Sequence, residues 1–150
     1  MTRERAIIVF LLVVVLALGW ALLEKSKRDN FDLRAKCGEQ AAREFARLGY
    51  RESGPTNGIF AGYESRYNPS LNRCFMTLHT TSYSENPVTQ VTGKSLFDAF
   101  EQREYAEFTG TRTSDQQDHV MICILSLPTE TKRYCKSEAE YDAFVASYMK

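Results

Sequence analysis

The sequence predicts an α+β protein: an N-terminal transmembrane helix, a second helix, an antiparallel meander of about five or six strands, and a C-terminal helix packed on one face of the sheet. Three observations predict it. Residues 6–23, AIIVFLLVVVLALGWALL, form a run of eighteen without one charge. Between residues 59 and 127 short runs rich in aromatic and β-branched residues alternate with turn clusters. Helical periodicity flanks them, over residues 31–48 and again from Ser137 to Tyr148.

At ~1.5 Å of rise per residue the first run reaches about 27 Å, close to the ~30 Å hydrocarbon core of a bilayer. It is longer than the h-region of a cleavable signal, its end offers no Ala-x-Ala site, and no cysteine follows it closely. A retained anchor is therefore expected, with Trp20 suited to the interfacial zone. The partition is residues 1–23 as tail and anchor, 24–30 as a charged linker and 31–150 as one soluble domain. Arg3 and Arg5 on one side and Lys25, Lys27 and Arg28 on the other leave orientation undecided by charge.

The cysteines decide it. Cys37, Cys74, Cys123 and Cys135 are an even set in a small domain, the usage expected where disulfides persist. That suits a single-pass protein whose domain stands in an oxidising compartment, a bacterial periplasm or a eukaryotic lumen, although the positive-inside count alone would let it face the cytoplasm. The competing readings are four reduced core cysteines or a metal site, the latter lacking any C-x-x-C pair.

Beyond the anchor the charge is balanced, with 17 basic against 18 acidic residues, which excludes electrostatic binding of nucleic acid. The hydrophobic share of the whole chain, 43%, excludes a disordered one.

The elements follow in order. Either Asp29 or Asn30 caps a new helix or the anchor helix runs straight through the connector; in both cases Leu33, Cys37, Ala41, Phe45 and Leu48 gather on one arc, and Gly49 stands where a left-handed residue would stop the helix. After the turn cluster 53–58, residues 59–67 and 73–83 read as a hairpin, with Cys74, Met76 and Leu78 on one face and Phe75, Thr77, His79 and Thr81 on the other. Residues 88–101 read as a strand interrupted at Gly93, with 105–109 as its return, although Glu, Gln and Ala make helix a competitor over 95–108.

Residues 110–118 read as a polar loop and 120–127, VMICILSL, as the central strand. A three-residue turn at 128–130 would set Cys123 opposite Cys135. The preferred pairing is Cys37 with Cys74 and Cys123 with Cys135, one of three possible. Ser137 and Glu140 form a capping box that opens the last helix, whose stripe is Tyr141, Phe144, Val145 and Tyr148. Both helices are expected on the same face of the sheet.

Two groups of residues invite a functional reading. Tyr63, Ser65 and Tyr67, with Arg66, Asn68, Asn72 and Arg73, suit an aromatic and polar surface for a sugar or peptide. The structural alternative packs the tyrosines on a helix and uses the asparagines to hold the turn. Asp115, Asp118 and His119 suit a weak metal or acid–base cluster, against which stands a solvated loop. No GxSxG, Walker loop, HExxH or GxGxxG occurs, so no cofactor is expected.

The residues Glu39-Gln40-Ala41-Ala42 behind Cys37, the segments Tyr63-Glu64-Ser65-Arg66-Tyr67-Asn68, Leu71-Asn72-Arg73-Cys74-Phe75 and Leu96-Phe97-Asp98-Ala99-Phe100-Glu101, then Tyr105-Ala106-Glu107 and the two late cysteines, together resemble a group of small bacterial envelope proteins with an N-terminal signal or anchor. The resemblance spans most of the soluble part. It implies an envelope location and paired cysteines, and no activity. Arg66 stands where the pattern leads one to expect a histidine, which weakens a catalytic or metal role there. The expected function is a membrane-anchored binding or accessory domain without enzymatic activity, its partner an envelope protein or glycan. The alternative is a small periplasmic enzyme or metal-dependent protein using His119 with Asp115 or Asp118.

Overall fold

Strong helix formers on both sides of the charged connector let one helix run through it. In the computed structural model α1 spans Arg3–Arg47, and Asp29 and Asn30 lie inside it rather than capping a new helix. The physical reason is that extending a helix adds one hydrogen bond per residue, whereas restarting it repeats the cost of nucleation. The backbone is described for residues 3–51, 53–85, 88–113, 118–126 and 132–150, and side-chain surroundings for 10–16, 18–20, 29–51, 53–84, 89–113, 118–126 and 132–150. Asp115, the Asn86–Pro87 turn and the turn at 128–130 lie outside the described residues.

The chain divides into two units, Met1–Ala35 and Lys36–Lys150. In the first, the described side chains between Phe10 and Trp20 are exposed, Phe10 at 67% and Trp20 at 77%. Among the described residues no helix is long and apolar enough to cross a membrane. The side chains of residues 6–9, 17 and 21–23 of the apolar run are outside the description.

The second unit is α+β. Six strands, β1 (Phe60–Asn68), β2 (Arg73–Glu85), β3 (Val88–Asp98), β4 (Arg103–Thr113), β5 (Asp118–Ser126) and β6 (Lys132–Tyr134), pair antiparallel in sequence order, and α2 (Glu138–Tyr148) follows. Several boundaries differ from expectation. Gly93 is paired with Thr80 and Thr109, so β3 is unbroken there, and its irregularity is a register shift at Leu96/Phe97. The segment 95–108 is strand, turn and strand, not helix. Residues 110–113 and 118 belong to strands rather than a loop; Arg112 pairs with Asp118 in both register and charge.

The apolar run at 120–127 is not central. β5 is the penultimate strand, and Val120, Met121 and Ile122 are exposed, Met121 at 64%. Apolar content alone misled here, because composition does not distinguish a buried central strand from an exposed one near the sheet edge.

The two helices pack on opposite faces, contrary to the single-face expectation. Adjacent residues of a strand point to opposite sides. Cys74 is bonded to Cys37 of α1, while its neighbour Phe75 lies in the cluster that α2 closes. On the α1 face Cys37, Ala41 and Phe45 are buried, with Phe45 ringed against Tyr63 at 4.7 Å. On the α2 face Phe75, Tyr105 and Tyr148 meet pairwise at 5.1–5.5 Å, and Phe108 meets Tyr141 at 5.8 Å. Aromatic pairs at such spacing add about 0.5–1.5 kcal/mol each beyond their buried area.

Both disulfides take the preferred pairing, Cys37–Cys74 with Cα atoms 5.3 Å apart and Cys123–Cys135 at 5.0 Å. Gly49, at φ +88°, ends α1. The Tyr50 amide donates to Phe45 O and the Gly49 amide to Ala46 O, the Schellman arrangement that only a residue tolerant of the left-handed region permits without strain. Ser137 caps α2 by accepting from the Glu140 amide, and the Glu140 carboxylate accepts from the Lys136 amide, one residue before the cap.

Candidate functional site

Most residues of the first predicted surface hold the fold together. Tyr67 donates to Asn72 Oδ1 at 2.6 Å, and Asn68 Oδ1 accepts from the amides of Ser70 and Leu71, which fixes the β1–β2 turn. Asn68 Nδ2 and Arg66 reach the other way, donating to the carbonyls of Tyr148 and Met149 at the end of α2. Tyr63 and Ser65 share the α1 face, opposite Leu78 and Met76. Arg73 pairs with Asp98 and Glu101, and its guanidinium is held above its ordinary range by Glu101 and then Asp98.

The structure therefore separates these seven residues by face. Ser65 and Arg66 line one recess, of about 450 Å³, with Glu64 and Met149, and Arg73 lines another, of about 440 Å³, with Phe75, Arg103, Tyr105 and Tyr148. There Arg73 is already neutralised by its two carboxylates.

A larger groove, about 670 Å³, lies at the other end of the α2 face. It forms because α2 begins only at Glu138 and leaves the ends of β4 and β5 uncovered. Its walls are the β5 residues Asp118, His119 and Val120 and the opening of α2 from Lys136 to Ala139. Phe108 and Gly110 of β4 line it between them. Gly110 matters locally: a Cβ there would stand 3.0 Å from Phe108 Cζ, so the ring keeps its position only beside a residue without a side chain.

Sequence reading reached this place through His119 and Asp118, for a different reason. Asp118 is engaged with Arg112, which donates to its two oxygens at 2.6 and 3.1 Å and holds its carboxyl below the usual range. Among the described residues no group of three His, Cys, Asp or Glu side chains could hold a metal ion. Lys136, Val120, Phe108 and Gly110 were missed. The available signal was the exposed apolar start of β5, read as a strand interior.

The charges around the groove are largely matched. Arg112 pairs with Asp118, and Glu138 with Lys94, which also pairs with Asp142. Lys136 has no side-chain partner among the described residues. Comparison with family models, curated proteins and solved structures returns no match. The geometry stands alone: a strand edge, a helix opening and one uncompensated ammonium around a partly aromatic floor.

Proposed function

We propose that this chain is a membrane-tethered binding or accessory domain whose body works in an oxidising space, on the outer side of a bacterial inner membrane. The observation that carries the reading is that all four cysteines are paired, one bridge on each layer of the domain. Disulfides persist in secreted and periplasmic proteins and are rare where thiol reductants prevail. The uncharged run at 6–23 and the exposed side chains between Phe10 and Trp20 support tethering, since such a row is stable when lipid rather than water meets it. The resemblance to small envelope proteins points the same way.

Binding rather than catalysis is favoured at the groove because Asp118, the described carboxylate next to His119, is committed to Arg112. A partner among envelope proteins fits this site better than a glycan, because its open strand edge offers backbone groups.

The test is a thiol count under denaturing, non-reducing conditions on protein from its native membrane, with protease added outside spheroplasts. No free thiol and a digestible body are expected. Four free thiols on a shielded body would overturn the reading.

A further inference from the structure

The outer edge of β5 is paired for only part of its length. β6 meets Ile124, Leu125 and Ser126, and the Cys135 amide donates to Cys123 O at 3.0 Å. The Cys123–Cys135 bridge then fixes the chain just before Ser137 caps α2 and turns it away. From Asp118 to Ile122 the outer edge has no strand partner among the described residues. An edge of five extended residues spans about 17 Å and presents a row of backbone donors and acceptors that another strand can complete.

Side chains beside this edge supply what a strand needs on its flanks. Val120 is apolar and exposed, and behind it on β4 the buried Phe108 ring fills the space over Gly110. Met121 is the extra residue where the β4–β5 register shifts, from Thr109↔Ile122 to Gly110↔Val120. Such bulges re-aim side chains and recur beside binding sites. Across the groove stands the opening turn of α2. Strand addition beside a helix gives affinity through main-chain bonds and selectivity through side-chain pockets. The selectivity element here is charge: with Arg112 and Glu138 compensated, Lys136 is the cation left facing an occupant.

We infer that the groove between β5 and α2 takes an extended peptide segment of a partner protein, adding to the β5 edge at Asp118–Ile122 and setting an Asp or Glu side chain against Lys136. This rests on the binding-domain reading of the same site. The thiol count tests compartment independently, so either can fail without the other.

The full chain in detergent micelles is panned against a displayed random library of twelve-residue peptides, and enriched sequences are measured by fluorescence anisotropy. Enrichment of apolar sequences containing Asp or Glu is expected, with at least tenfold weaker binding to Lys136→Glu and Val120→Asp and unchanged binding to Lys132→Glu on the neighbouring strand. Amide exchange at residues 118–122 of the unsubstituted chain slows when peptide binds, a readout that does not depend on any variant folding. The inference is overturned by no enrichment, by enriched sequences lacking a carboxylate, by binding indifferent to Lys136→Glu, or by a peptide-free dimer that protects the same amides.

Discussion

Arg73 Nη1 lies 2.8 Å from Asp98 Oδ2, tying the first residue of β2 to the last of β3. Asp98 is buried, and its other oxygen accepts from the amides of Phe100 and Glu101 at 2.9 and 3.1 Å. One carboxylate thus holds both a cation and the β3–β4 turn. Asp98→Ala should lower stability by about 2–3 kcal/mol, short of the ~3–5 kcal/mol of a fully buried pair because Arg73 keeps contact with water. Asp98→Asn keeps an acceptor for the turn and should cost less. The midpoint of urea unfolding reads both.

Lys94 anchors α2 through Glu138 and Asp142, at 2.7 and 2.8 Å. Burial alone lowers its ammonium, but Asp142 and Glu138 outweigh that and hold the pKa above its ordinary value. A raised lysine contributes fully below the unfolded pKa of ~10.4 and is lost as pH rises through the folded value. On the lysine side the clamp should therefore hold across neutral pH and weaken above about pH 10. Thermal melts of the unsubstituted chain should fall towards those of Lys94→Met in that window; parallel curves at all pH values would refute it.

Tyr141 is buried with no hydrogen-bond partner for its hydroxyl among the described residues, and burial pushes its pKa well up. Its ring does the packing, against Phe108 and under Lys94. Tyr141→Phe removes an unsatisfied polar atom and keeps the ring, so it should be neutral or stabilising by up to about 1 kcal/mol. A loss of more than that in denaturant unfolding would mean the hydroxyl has a partner.

The bridges differ in reach, 37 residues for Cys37–Cys74 and 12 for Cys123–Cys135. In the chain-entropy model they restrict the unfolded chain by about 4 and about 3 kcal/mol. The double Ser variant at Cys37 and Cys74 should melt lower than the one at Cys123 and Cys135. The reverse order in calorimetry would refute that ranking.

Much of the fold was legible because local chemistry wrote it. Gly49, the Ser137–Glu140 box and the stripe Tyr141, Phe144, Val145 and Tyr148 each act within a few residues, and period-two runs named the strands. The register of Cys123 against Cys135 was legible too. What failed depended on distant partners. The apolar start of β5 was taken for an interior because composition cannot tell a buried centre from an edge. The helices were assigned to one face although Cys74 and Phe75, adjacent in sequence, were already sorted onto opposite faces of the strand. The polar residues Arg112 and Asp118 concealed a hairpin because their ion pair forms only once the strands meet. Of the candidate site, His119 and Asp118 were found, while Lys136 stands out only when its neighbours' charges are seen to be spent.

The side-by-side placement of Cys74 and Phe75 makes β2 the shared wall between two layers. A slip of one residue along it would swing the sulfur towards α2 and the ring towards α1, spoiling both at once. The Cys37–Cys74 bond therefore closes only on the correct alignment: a chain with β2 slipped by one residue presents no thiol to α1 and stays unbridged there.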